Sequence, residues 1–346
     1  MRLGLWLSFL LLPALAQVLT LPDLRARTYG EGGFRVERVL EERPAFTRVQ
    51  FSYLSDGLRV HGFANLPKGR GPFPVVVVLH GYVGPSRYRL LAYTTPYADF
   101  LAERGYLVLH PNFRGHPPSE GAPAQGLRHV YAVDVLNLLA EVRRGAFPQA
   151  DPARIALFGH SMGGGVAQIV SLVDPGLKGV VLYGSMSGDE RRNLERIRYW
   201  SGGSRGQELF ALSPEVLRQA SAWTYLAELS VPYSVHHGTQ DAQVPPEWSW
   251  ELCHRLKALK KPVECFSYPG GRVVSVSLGS SRRDAAAEVE LLGERVLLER
   301  RGTDGDFQRA LCLIQELDGK VDAIGLGGID LYLFAGGRRY AIRDAL

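Results

Sequence analysis

The sequence predicts an α/β fold: a mainly parallel sheet with helices on both faces, followed by a partial α/β segment at the C-terminal end. Three observations carry the prediction. "PVVVVLHG" (Pro74–Gly81) is an unbroken β-branched run between turn residues, the pattern of a strand buried on both faces. Beyond it, strand-like and helix-like segments alternate at the spacing of βαβ units. Finally, 346 residues with 46% hydrophobic and 22% charged side chains are ordinary globular material, long enough to bury a large core without metals.

Taken in order, "TRVQFSYLSDG" and "LRVHGFANLP" read as an antiparallel hairpin at the edge of the sheet. The buried strand at Pro74–Gly81 follows, then a helical stretch around Tyr88–Arg104, the strand "YLVLHPNFRG" and the amphipathic helix "HVYAVDVLNLLAEVRRG". "RIALFGHSMGGGVAQIVSLV" gives strand, turn and helix, and "LKGVVLYGS" another strand. After an irregular polar stretch come "VPYSVHHG", the helix "PEWSWELCHRLKAL" and the strand "PVECFSYP".

The opening "MRLGLWLSFLLLPALAQ" pairs an early arginine with an apolar run from Leu3 to Leu12 and the small-residue signature Ala14-Leu15-Ala16. That pattern predicts a signal peptide over residues 1–16, cleaved before Gln17, and a secreted or periplasmic protein. The run falls short of the ~20 residues of a membrane span, so none is expected in the mature form. A formal charge of +5 comes from basic residues scattered among acids, which argues against a nucleic-acid partner. Cys253, Cys265 and Cys312 form no disulfide framework, and buried thiols are expected although export would permit a Cys253–Cys265 bond.

The chemistry sits in "GHSMGG", where Gly159, Ser161 and Gly163 complete G-x-S-x-G between a strand and a helix. There a serine is strained into a sharp turn, and glycines on either side let the strand and helix pack closely. The helix N-terminus below it favours developing negative charge. An oxyanion hole would take the backbone N–H of Met162 and, from the loop "LHGYVGP", that of Tyr82. His80 in that loop is expected to tie it down rather than carry protons. Asp241, leaving the strand "VPYSVHHG", fits the order serine then acid, with Asp189 the weaker competitor. Neither a cofactor nor a metal is expected, and the partner expected is a small-molecule ester or peptide substrate.

With "VVVVLHGYVGP", "NFRG", "GHSMGGG" and "HHGTQDAQVPP" in this order, residues ~45–270 resemble the α/β-hydrolase superfamily, within it the prolyl-oligopeptidase and dienelactone-hydrolase-like group. The resemblance implies an esterase or peptidase, with Arg191–Trp223 as a short cap and a catalytic histidine just after "CFSYPG". That histidine is missing: the last one in the chain is His254. Of the others, His116 is the one stand-in considered. Without its base a serine hydroxyl is a poor nucleophile, and loss of the histidine from such a triad can cost on the order of a million-fold in turnover. The expected function is therefore an exported serine hydrolase, esterase or peptidase, acting through an acyl-enzyme on Ser161, with impaired turnover; a non-catalytic binding protein on the same scaffold is the alternative.

From Arg272 onward the pattern changes. "SVSLGSSRRD" and "DAIGLGGIDLYL" resemble the start of a shikimate or quinate dehydrogenase-like protein, though Asp330 stands where a dinucleotide fingerprint needs its third glycine, so no NAD binding is expected. A shikimate-dehydrogenase-like oxidoreductase fragment is the third functional alternative, argued against by the missing cofactor domain. The domains so read are a signal peptide (1–16), a hydrolase domain lacking its final histidine loop and helix (17–271), and an unrelated partial segment (272–346). Two patterns meeting without a linker suggest a junction of unrelated frames, natural or artefactual. Loss of the closing helix is expected to uncover apolar sheet surface.

Overall fold

A computed structural model of the protein describes residues 18–346 apart from 92, 269–270, 292–293, 319, 322, 328–331, 336–337 and 342–346. The expected signal peptide at 1–16 lies outside the described residues, as does the end of "GLGGID" from Gly328 to Asp330.

The larger block opens with α1 (Leu21–Ala26), the strand β1 (Arg35–Glu42), and the antiparallel hairpin of β2 (Phe46–Ser55) and β3 (Leu58–Pro67). The remaining strands are β4 (Phe73–Leu79), β5 (Leu107–Pro111), β6 (Ala150–His160), β7 (Gly179–Tyr183), β8 (Tyr233–Gly238) and β9 (Val263–Tyr268). Between them lie α2 (Thr95–Ala102), α3 (His129–Arg143), α4 (Met162–Val173), α5 (Glu190–Trp200), α6 (Glu208–Ala211), α7 (Pro214–Ala220) and α8 (Pro246–Ala258).

One nine-stranded sheet runs in the order β1-β2-β3-β5-β4-β6-β7-β8-β9, parallel from β5 to β9. The chain starts the parallel part at β4, winds outward to β5, then returns past β4 to β6. Ligands of such sheets bind where the winding reverses, at the carboxyl ends of the strands. β4 shows why its sequence is a continuous apolar run: Val75, Val77 and Leu79 enter the core under α3 and α4, whereas Val76 and Val78 enter the core under α2.

Several expectations change. The edge strand is β1, not the β2–β3 hairpin, because "RVERVLEE" mixes charge into its alternation and stays largely exposed. The helix expected over Tyr88–Arg104 is confined to Thr95–Ala102. Leu91 and Tyr93 have φ of 69° and 62°, which no helix tolerates, and Pro96 suits only a first turn. Cys253 and Cys265 are disulfide-bonded, contrary to the expectation of buried thiols: α8 lies directly on β9 and brings their Cα atoms to 6.4 Å. Phe266 and Tyr268 of β9 remain 44% and 41% exposed on the face opposite α8, each stacked on His236. Among the described residues no helix is long and apolar enough to cross a membrane.

A second sheet begins at once. β10 (Gly271–Ser277), β11 (Ala285–Leu291), β12 (Glu294–Gly302) and β13 (Ala323–Gly327) form a four-stranded sheet in the order β11-β12-β10-β13, with β10 parallel to both neighbours. α9 (Phe307–Leu317) brings Ala310 and Leu317 against Val274 and Val276, and a hairpin of β14 (Tyr332–Ala335) and β15 (Arg338–Ala341) follows.

Candidate active site

The site grows from the turn between β6 and α4. Ser161 has φ 50° and ψ −114°, a conformation that costs a non-glycine residue on the order of 1–3 kcal/mol. Neighbouring backbone holds it there. Ser161 N–H donates to Tyr183 O at 3.0 Å, and Ser161 O accepts from Gly164 N, Gly165 N and Met186 N at 3.0, 3.3 and 3.0 Å. Close packing fixes the flanking residues too: a Cβ on Gly163 would stand 2.1 Å from Leu79 O, and one on Gly159 2.6 Å from Gly163 O. The result is a half-buried hydroxyl over the first turn of a twelve-residue helix.

The loop after β4 runs directly past that serine. A Cβ on Gly81 would meet His160 Nδ1 at 2.9 Å and Ser161 Cβ at 3.2 Å, so glycine is what allows the approach. Tyr82 N–H and Met162 N–H donate to no other group among the described residues. His80 anchors the loop from beneath: its Nδ1 lies 2.7 Å from Gly81 O and its Nε2 3.2 Å from Asn112 O. Complete burial pushes its pKa down to about 4, so it is neutral at ordinary pH.

Ser161, Met162, Tyr82 and Asp241 share the wall of one cavity of about 700 Å³, closed on the cap side by Ile197 and Trp200 of α5. Asp241 Oδ1 accepts from Gln243 N and Val244 N at 2.8 and 2.9 Å, and its Oδ2 lies 3.1 Å from His237 Nε2. That nitrogen also faces Val244 O at 3.1 Å, so it carries the proton, while Nδ1 accepts from Ser249 Oγ at 2.6 Å. Asp189, the weaker competitor, caps α5 by accepting from Arg191 N at 3.0 Å and is absent from the cavity wall.

No histidine hydrogen-bonds to Ser161 among the described residues. His237 has both nitrogens engaged, and His236 is bonded to Ser234 Oγ and Tyr268 OH at 2.9 and 2.7 Å. His116, the stand-in considered above, is fully buried between the rings of His80, Tyr88 and Tyr131 and does not reach the cavity. The histidine that does line the cavity is His160, which in the sequence is only the second letter of G-x-S-x-G. Its buried Nδ1 has no partner among the described residues, and burial pushes its pKa down to about 4 against the opposing pull of Asp241.

Sequence reasoning also missed three arginines on the wall, Arg87, Arg128 and Arg205, since nothing local marks them. Arg205 reaches the site from the loop after α5. It donates to Gln125 O and Ala124 O and lies 4.6 Å from the centre of the Tyr82 ring.

The profile of the serine aminopeptidase S33 family matches residues 71–203, and that of a domain of unknown function (DUF8753) matches 272–346. The chain is 27% identical over 227 residues to an uncharacterized peptidase, YtmA, of Bacillus subtilis, covering 62% of this chain and 82% of that one. Over 170 residues it is 29% identical to the esterase FrsA of Shigella boydii, covering 47% and 37%. Among solved structures, the acetyl xylan esterase of Paenibacillus sp. R4 superposes with a TM-score of 0.53 at 20% identity, covering 72% of this chain and 85% of that one. The acylaminoacyl peptidase of Pyrococcus horikoshii gives 0.55 at 23%, covering 68% and 40%.

Fold and site thus define an α/β-hydrolase. Over residues 71–203 the chain is similar to the serine aminopeptidase S33 family, and the relatives and fold neighbours it matches are of the esterase and peptidase type. The C-terminal likeness to shikimate dehydrogenases finds no support, because the profile that matches there carries no assigned function.

Proposed function

We propose that the protein is an exported hydrolase that attacks a carboxylic ester or peptide bond through Ser161, with turnover held back by the missing imidazole. The observation that carries the reading is the strained elbow, which presents the Ser161 hydroxyl to a cavity beside the N–H groups of Met162 and Tyr82. In this mechanism Ser161 Oγ bonds to the carbonyl carbon, and the carbonyl oxygen takes the negative charge between those two donors. Collapse expels the alcohol or amine, which takes its proton from solvent, and leaves an ester on Ser161; water hydrolyses that ester, releasing the carboxylic acid and restoring the serine hydroxyl. The imidazole that Asp241 holds, His237, is turned onto Ser249 and does not bond to Ser161, so the serine proton passes to solvent, a slow route. The Cys253–Cys265 bond supports the exported reading, since such bonds persist in oxidising compartments.

A fluorophosphonate probe tests this. Slow covalent labelling of the folded chain, abolished in Ser161→Ala, is the expected result. Complete absence of labelling in a folded sample would overturn the nucleophile assignment and favour a binding protein on a hydrolase scaffold, a reading that the engagement of His236 and His237 elsewhere also supports.

A further inference from the structure

Resting on the hydrolase reading, we infer that the Ser161 cavity takes a substrate that bears a carboxylate in addition to its scissile carbonyl, with Arg87 and Arg205 as the carboxylate's partners. The cavity wall carries three guanidinium groups and one carboxylate. That carboxylate, Asp241, is engaged by Gln243 N, Val244 N and His237 of its own loop. Arg128 is neutralised by Glu190, whose two oxygens lie 2.9 and 2.7 Å from one guanidinium nitrogen, both side chains being buried. Arg87 and Arg205 have no such counter-charge: neither forms an ion pair among the described residues. Arg205 is held by two backbone carbonyls, which orient the fork without cancelling its charge. Glu208, whose carboxylate lies against Gly126, is not among the residues of the wall.

A second, independent feature points the same way. Arg128 is 2% exposed, lines the cavity, and has a buried Nε–H with no acceptor among the described residues. A buried donor left unmatched costs on the order of 1–3 kcal/mol, which a ligand oxygen bound to this wall residue would relieve. Position adds specificity. Arg205 lies over the ring of Tyr82, whose backbone N–H is the candidate oxyanion donor, so the second carboxylate falls on the Tyr82 side of Ser161 under the α5–α6 connection. A planar carboxylate suits the guanidinium fork better than a neutral amide does.

The experiment titrates the full-length chain with N-acetyl-Gly-Phe and with its C-terminal amide, read by the fluorescence of Trp200 on the cavity wall and confirmed by calorimetry. The free acid should bind about tenfold more tightly than the amide. That preference should shrink in high salt and fall to about one in the double variant Arg87→Gln, Arg205→Gln, with partial recovery when both are lysine. Equal binding, tighter binding of the amide, or no binding of either overturns the assignment, and the wild-type ratio decides this even where the double variant fails to fold. The two readings fail separately. Labelling at Ser161 with no acid preference removes the carboxylate site alone, whereas acid preference without labelling removes the acyl-enzyme and leaves an anion-reading cavity.

Discussion

The two ends of the cavity are built by opposite means. At the serine end, backbone packs on backbone: Ser161 is held at positive φ, and a Cβ on Gly163 would collide with Leu79 O. At the acid end no described residue from 238 to 245 has a positive φ. Asp241 folds back on its own loop and satisfies its carboxylate with Gln243 N, Val244 N and His237. The first arrangement has an evident use in presenting a hydroxyl, whereas the second stabilises a turn whether or not catalysis occurs. The hydrolase geometry thus persists where close packing enforces it and is incomplete where it would depend on a later segment of chain.

The contrast predicts, first, that the serine end fails in acid. His80 and His110 are fully buried and pushed down to about 4 and about 3, mainly by burial. Each therefore contributes stability that is present in full above its unfolded value near 6.5 and is lost as pH falls toward the folded value. By pH 5 the loss is about 2 kcal/mol apiece, together a large share of an ordinary domain's stability. His160, beside the cavity and also pushed down to about 4, adds a share like that of His80. Thermal denaturation between pH 7.5 and 4.5 should show a steep fall in Tm, flattened in His160→Gln; a flat profile would contradict neutral buried imidazoles.

Next in size is Gly163→Ala, whose added carbon meets backbone that has no rotamer to change. It should cost about 3 kcal/mol or more in chemical denaturation. Gly84→Ala in the neighbouring loop, with nothing nearer than 3.7 Å, should stay within about 0.5 kcal/mol. Equal effects at the two positions would mean that the elbow is less tightly packed than described.

What was legible in the sequence follows the same division. The elbow could be read because its five letters are contiguous and each glycine answers a local collision. The parallel strands could be read because burial on both faces leaves a β-branched run such as Val75–Val78. Arg205 was not legible, since it arrives from a glycine-rich loop after α5 and meets Tyr82 only through tertiary folding. β1 was hidden by the charges of an edge strand. The Cys253–Cys265 bond was hidden because pairing depends on α8 lying over β9, which an odd cysteine count does not reveal. His160 was visible as a letter but not as part of a wall.

The disulfide clamps the acid end, tying α8 to β9 across a separation of 12 residues. Closing a loop of that size restricts the unfolded chain by about 3 kcal/mol. Cys253→Ala with Cys265→Ala should lower the denaturation midpoint accordingly, while fluorophosphonate labelling of Ser161 continues in the folded fraction. Loss of labelling in a folded sample would show that the two ends are coupled more tightly than their separate construction implies.

The smallest effect is the most diagnostic. In a complete serine–histidine–aspartate triad, Asp→Asn costs on the order of 10⁴-fold because the imidazole is left in the wrong tautomer. In this chain no imidazole bridges Ser161 and Asp241, so Asp241→Asn should slow labelling of Ser161 by less than about tenfold. Its consequence falls on the fold instead. The new amide oxygen still accepts from Gln243 N and Val244 N, but the amide N–H confronts His237 Nε2–H, donor against donor. His237 must move its proton to Nδ1, which Ser249 Oγ can accept, and Val244 O then loses its donor. One buried carbonyl without a partner corresponds to about 1–2 kcal/mol, measurable by denaturation. A labelling rate that falls a thousandfold in a variant of nearly unchanged stability would instead reveal a base acting with Asp241 on Ser161, and would restore the acid end to full catalytic standing.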